Sequence, residues 1–480
     1  MLSAVLSDRG FFVRHHTGHW FTNPALLLFL AIVGSIGSLS ILRSDGFYPI
    51  DECAHYLYSR FILDVLPVTV QTWHRPGLLW LFALPAQFGH TATMFFGLAL
   101  FLVLLLVTYR IAVLKGIRHP EWVVLLTGLQ PVLFDISYAC LAEAPAALLL
   151  VLSYWLHLKQ KPGWCLAIAS TVFLFRFEMY AFAVLMSAIY LMKRQWRILP
   201  LLVLGPVIWI GSSTIISGDP MTFFREWSHF SGLGKYVDGI SLTFYLENLH
   251  TIFGVAQVAF FAIGVVFIAL GRKMPEYALI LSVPVIGIIV NTLAGAEMFH
   301  WSGSIGDLRY VAVAGPFLGI VSAYGLSEAL ERLPHTRLRM ALAPLLAGAL
   351  ILNCLIATHP RQWTEEERIV IALTRELRSG YPDQVLLCNS YIAAYVLDVP
   401  PWGGPHFARL DARTLAEHQE CVMVWDPFLS NPRFSRTELT REQLLEDPAN
   451  VVLKRQAYQH GEFLLLSRNV RPSSPPHPLQ

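Results

Sequence analysis

Apolar runs long enough to cross a lipid bilayer recur through the first 360 positions of this 480-residue chain, more than a soluble fold can bury. A hydrocarbon core of about 30 Å takes about 20 helical residues. Eleven runs are read, near 23–42, 91–114, 120–138, 143–158, 163–175, 177–192, 198–216, 250–271, 277–296, 308–329 and 339–357. The fifth and sixth suit tilted or half-buried helices, and an extra apolar stretch at 77–88 suits a partly inserted one. Charge marks the same division. Of the 35 Lys and Arg and 33 Asp and Glu, about 28 lie in residues 361–480, roughly 23% of those positions against roughly 11% before them. The expected fold is therefore a polytopic α-helical membrane protein with a small C-terminal α/β extracytoplasmic domain. Its expected divisions are a cytoplasmic arm over 1–22, a transmembrane module over 23–358, a soluble domain over 359–472 and a disordered tail over 473–480.

Lys and Arg in short loops stay on the cytoplasmic side. With Arg9 and Arg14 inside, alternate loops carry Lys115 and Arg118; Lys159 and Lys161; Lys193, Arg194 and Arg197; Arg272 and Lys273; and Arg332, Arg337 and Arg339. All fall on the inner side. An odd number of spans then puts the C-terminal residues outside. The first run lacks a small-residue cleavage site and reads as a retained signal anchor.

The tail from about Pro360 has the pattern of an α/β domain. Thr364 to Arg378 reads as a helix opened by Thr364, Glu365, Glu366 and Glu367 and closed by Gly380. Strands are expected at Gln384 to Leu387, Cys421 to Trp425, Val451 to Lys454 and Phe463 to Leu466. Six cysteines, at 53, 140, 165, 354, 388 and 421, fit neither a disulfide scaffold nor a zinc site. Cys388 and Cys421 are read either as a bridge or as two buried thiols.

Several chemistries are excluded early. A net charge of +2 gives no basic field for nucleic acid, and there is no Walker A loop, His-Glu-x-x-His, Cys-x-x-Cys or Gly-x-Ser-x-Gly. Gly232, Leu233, Gly234 and Lys235 lack the third glycine and the Ser/Thr of a phosphate loop. His15, His16 and His19 sit beside Arg14 and read as a solvated arm, not a metal site. No internal repeat is present.

The outer loops hold a different set of residues. Asp51 and Glu52 follow the first span and start an amphipathic run to Leu66; Trp73, His74, Arg75, Pro76 and Gly77 lead back into the membrane. Glu143 opens the fourth span, Arg176 and Glu178 share an outer turn, and Asp307 and Arg309 precede a late span. Ionisable groups gathered at one face of a bundle mark a substrate path. Each has a plainer reading as well. One acid of the pair can cap a helix, Glu143 can start its helix beside Pro145, and His74 can be interfacial. Arg309 can snorkel or pair with Asp307. The i, i+2 spacing of Arg176 and Glu178 favours a shared turn over a helical salt pair.

This order of motifs resembles the polytopic GT-C glycosyltransferases, in particular bacterial relatives of protein O-mannosyltransferases and lipid A aminoarabinose transferases. The motifs are an acidic pair in the first outer loop, a His-Arg-Pro-Gly segment, a Glu-x-Pro opening a span, and an Arg-Tyr at the outer start of a late span. The resemblance covers about residues 20–330, and many members have two prolines where this chain has Arg75, Pro76 and Gly77. It implies a sugar transferred from a polyprenyl phosphate to an acceptor hydroxyl on the outer face of a bacterial cytoplasmic membrane. Asp51 would serve as base or acceptor-orienting group with Glu52 beside it, and His74, Arg75, Glu143, Arg176, Glu178 and Arg309 would bind substrate. The implied partners are the polyprenyl-phosphate-linked sugar, a lipid, glycan or protein acceptor, and membrane lipids. No nucleotide sugar or other cofactor is implied, and a divalent metal stays open. The rival reading is a transporter or lipid flippase; a non-catalytic scaffold would leave Asp51 dispensable.

Overall fold

The computed structural model describes residues 23–225, 241–295, 307–430, 439–458 and 461–470. His15, His16, His19 and the run Gly232 to Lys235 lie outside the described residues, as do the expected arm and tail. Internal contacts divide the chain into two compact units. The first comprises Met1–Arg43, Val70–Leu78 and Phe88–Pro360; the second comprises Ser44–Thr69, Leu79–Gln87 and Arg361–Gln480.

The first unit is helical. Pro24–Leu42, His90–Leu114, Trp196–Ser217, Met274–Leu293 and Thr336–Ala357 are long and apolar enough to cross a membrane, as a multi-pass membrane protein requires. Other expected runs form shorter helices, including Glu143–Leu158, Pro162–Leu174, Phe177–Met192 and Val255–Leu270. The run at 120–138 breaks into Trp122–Gly128 and Pro131–Ser137. Its cause is Pro131, whose ring disfavours a helical Gln130, and Gln130 is extended at φ −70°, ψ 124°. The run at 308–329 likewise divides into Arg309–Ala312 and Gly315–Glu331.

Gly315–Glu331 is buried along most of its length. It crosses Val255–Leu270 so closely that a Cβ on Gly264 would lie 2.3 Å from the Val321 carbonyl oxygen, and one on Gly325 would lie 2.3 Å from that of Phe260. Small residues let membrane helices approach in this way. Two polar side chains in the same interior bond to backbone: Ser322 donates to the Gln257 carbonyl at 2.8 Å, and the Gln257 side chain donates to the Leu129 carbonyl at 3.1 Å.

The second unit is built on a mixed sheet of β1 (Val385–Cys388), β2 (Phe407–Ala408), β3 (Cys421–Trp425), β4 (Asn450–Tyr458) and β5 (Gly461–Arg468). Its order is β2-β1-β3-β5-β4; β1 runs parallel to β2 and β3, and β5 runs antiparallel to β3 and β4. The sequence explains that order. β3 reads Cys-Val-Met-Val-Trp, is buried at every position and takes the centre, whereas β4 alternates between half-buried and exposed and takes an edge. Four of these strands were expected from the sequence; the two-residue β2 carries too little pattern to be seen. Leu387, Met423, Trp425, Leu444, Leu464 and Leu466 form the core. The helix Glu365–Gly380 begins at a capping box, with the Thr364 hydroxyl accepting from the Glu367 amide at 3.2 Å and the Glu367 carboxylate accepting from the Thr364 amide at 2.8 Å. All six cysteines are free and buried. Cys421 faces Val385 across the sheet and Cys388 faces Val424, so the two are offset along their strands and not bridged.

The sequence division at 358/359 is incomplete, because residues 44–69 and 79–87 cluster with the C-terminal residues. Backbone bonds account for this. The amides of Asp45 and Gly46 donate to the Arg361 carbonyl at 2.9 and 3.2 Å, and the Arg361 amide donates to Ser44 Oγ at 2.8 Å. A Cβ on Gly46 would lie 2.6 Å from the Gln362 carbonyl carbon, so only glycine admits this approach. The helix Pro49–Arg60 is held at its far end by Arg60, whose Nε and Nη2 both donate to Asp398 at 2.7 Å.

Burial, with the neighbouring charges of Asp426 and Glu367, pushes the Glu366 carboxyl up to about 7. Burial also raises Asp426, although the Leu429 and Phe428 amides oppose the shift. A raised carboxyl binds its proton more tightly in the folded state, so its contribution to folding stability is fully present below the unfolded value of about 4.3 and is lost as pH rises through about 7. Thermal unfolding should therefore move to lower temperature between pH 5 and pH 8, and Glu366→Gln should reduce that fall. An equal pH dependence in the variant would remove Glu366 as its source.

Candidate functional site

In the first unit three local structures deliver charged side chains to one place. Glu143 is the first residue of Glu143–Leu158 and is almost wholly buried. Arg176 lies between two short 3-10 turns, Val172–Leu174 and Phe177–Met179, and its extended backbone turns the side chain inward, where it too is buried. Arg309 opens Arg309–Ala312 and is 6% exposed.

Glu143 joins the other two. Its Oε1 pairs with Arg176 Nη2 and lies 3.3 Å from Arg309 Nε. Asp307 holds Arg309 from the other side, at 2.7 Å from Nε, while accepting the Arg309 amide at 3.0 Å. Tyr310 lies beneath both arginines, its ring centroid 4.1 Å from Arg176 Cζ and 5.5 Å from Arg309 Cζ. Glu178 Oε1 stands 3.5 Å from Arg176 Nη1 and 3.6 Å from Arg75 Nη2, and Arg75 also donates to the Phe175 carbonyl at 3.0 Å. Three guanidinium groups and three carboxylates thus form one network.

The expected residues Arg75, Glu143, Arg176, Glu178 and Arg309 come together here. Arg176 and Glu178 do share a turn, and Arg309 does pair with Asp307, but it is buried and not snorkelling. Glu143 both starts its helix and makes ion pairs. Arg75 has φ +58°, which a proline ring fixed near −65° cannot adopt. His74 is buried, edge-on to Trp73 at 4.7 Å between ring centroids. Sequence reading gave no role to Tyr310; its position next to Arg309 was the available signal.

The acidic pair belongs to the second unit, where its two members have different surroundings. Both lie in the first turn of Pro49–Arg60. Asp51 is half-buried. Glu52 is fully buried; both its oxygens accept from Arg361 Nη1, at 3.0 and 2.9 Å, and Oε2 also accepts the Tyr48 amide at 2.5 Å. The Tyr48 ring covers the same guanidinium at 5.6 Å. Among the described residues no group of three or more His, Cys, Asp or Glu side chains is placed to hold a metal ion.

No protein-family model matches the sequence, and no curated protein does. Solved structures do. The crystal structure of ArnT from Cupriavidus metallidurans bound to undecaprenyl phosphate superposes with a TM-score of 0.64, over 94% of this chain and 99% of that one, at 12% identity. The chain has the fold of ArnT. The apo state of the same enzyme gives a TM-score of 0.61 at 13% identity, over 92% of this chain and 97% of that one. ArnT is a lipid A aminoarabinose transferase of the GT-C class, so the resemblance read from four short motifs extends to nearly the whole backbone.

Proposed function

We propose that the chain is a membrane glycosyltransferase that moves a sugar from a polyprenyl-phosphate donor to an acceptor on the outer face of a bacterial cytoplasmic membrane. The observation that carries this reading is the buried arginine network. Among the described residues, Arg176 Nε has no hydrogen-bond partner, and Nη1 is met only by the Glu178 carboxylate at 3.5 Å. Buried polar groups are ordinarily bonded, and leaving one unmade costs about 1–3 kcal/mol or more where charge is involved. A phosphate offers the acceptor oxygens that unused guanidinium N–H groups lack, in the fork geometry suited to arginine. The undecaprenyl phosphate bound by ArnT, a protein of the same fold, supports the same class of donor.

Transfer breaks the bond between the anomeric carbon and the phosphate oxygen while the acceptor oxygen bonds to that carbon from the opposite face. Negative charge grows on the departing phosphate, where Arg176 and Arg309 stabilise it, with Glu143 and Tyr310 holding the two guanidiniums in place. Asp51 takes the acceptor proton as general base. Glu52 keeps the first turn of its helix in position through Arg361. Arg75 and Glu178 fix the orientation of Arg176, and His74 serves as a further substrate-binding residue. The reading requires no cofactor.

Lipid extraction tests it. Cells lacking the chain should accumulate a polyprenyl-phosphate-linked sugar that the wild-type chain removes, and the chain carrying Arg176→Ala, inserted at equal level, should leave the lipid in place. An unchanged lipid profile on loss of the chain would reject a polyprenyl-phosphate donor.

A further inference from the structure

The second unit carries an open surface pocket of about 580 Å³ separate from the charged network, lined by Trp363, Ile371, Arg375, Arg378 and Tyr395 among others. We propose that it binds an anionic sugar. Its volume lies within the range of about 300–1,000 Å³ typical of small-molecule sites.

Arg375 and Arg378 stand three residues apart on the helix Glu365–Gly380, a spacing that places both on one face, and Ile371 lies one turn before Arg375 on that face. Among the described residues Arg375 has no ion-pair partner, and Arg378 Nη1 donates to the Pro382 carbonyl, which fixes the arm without neutralising it. Two neighbouring acids are engaged elsewhere. Glu376 pairs with Lys454 at 2.7 Å, and Asp398, just past Tyr391–Leu397, is held by Arg60. The lining therefore carries two positive charges and no carboxylate.

The aromatic lining selects the remainder of the ligand. The Trp363 and Tyr395 rings have centroids 5.9 Å apart and planes inclined at 47°. A flat base would need parallel faces to be clasped between them. The inclined pair instead offers separate apolar surfaces suited to the C–H face of a pyranose, while the two guanidiniums suit a phosphate or carboxylate substituent. The inference stands apart from the transferase reading.

Calorimetric titration of the full chain in detergent tests it, with glucose 1-phosphate and glucuronate as probes and glucose and inorganic phosphate as references. At least one anionic sugar should bind tenfold or more tightly than either reference. Arg375→Gln with Arg378→Gln should weaken that binding at least tenfold with no change in unfolding temperature, and Trp363→Leu should abolish the preference over inorganic phosphate. Arg176→Ala, in the other unit, should leave this binding intact. Absence of binding, inorganic phosphate binding as tightly as the sugars, or equal affinity in the double arginine variant would overturn the proposal.

Discussion

Asp51→Asn should lower the rate of sugar transfer about 10²–10⁴-fold, the usual contribution of a general base, while the chain inserts and folds as before. Asparagine keeps the shape and the first-turn position but cannot take a proton. Asp51 is half-buried in the first turn of its helix, where a carboxylate's helix-end effect is about 0.3–1 kcal/mol. The measurement is single-turnover transfer with donor saturating. A variant as fast as the wild type would return Asp51 to helix capping and remove the base from the mechanism.

The neighbouring substitution should do the reverse. Glu52→Gln removes the carboxylate that pairs with the buried Arg361 guanidinium, and breaking a buried pair by removing one partner typically costs about 3–5 kcal/mol. The expected result is a large drop in unfolding temperature, with transfer lost only in proportion to folded protein. Adding Arg361→Met should recover much of the stability, because replacing both members of such a pair by well-packed apolar groups is often close to neutral. Normal unfolding with abolished transfer would place Glu52 in the chemistry.

The contrast between Asp51 and Glu52 shows what the sequence could reveal. Both acids and their helix start were visible, and so was the 100° turn that separates adjacent helical side chains. The partner that distinguishes them was not: Arg361 lies 309 residues away and no local pattern points to it. Four of the five strands in the second unit were legible because each carries its own run of β-branched and apolar residues, whereas β2 is only two residues long. Among the helices, apolar length located the segments but exaggerated some of them, since a proline such as Pro131 breaks a run without changing its hydropathy. Arg75, Glu143, Arg176, Glu178 and Arg309 were all singled out as outer-face charges. Their arrangement about Glu143 and Tyr310 depends on packing among distant turns, which composition and spacing do not encode.

The distance between Glu52 and Arg361 also sets an order in time. At roughly 5–20 residues per second of synthesis, the loop that carries Asp51 and Glu52 waits about 15–60 s after it is made before residue 361 is added. During that interval Glu52 lacks the Arg361 guanidinium, and Gly46 lacks the Gln362 backbone it lies against. The turn that carries Asp51 therefore takes its final shape only when the last quarter of the chain arrives. Synthesis halted before residue 361 would leave Glu52 without this partner and Gly46 without this backbone contact, so the conformation of the turn depends on residues made much later.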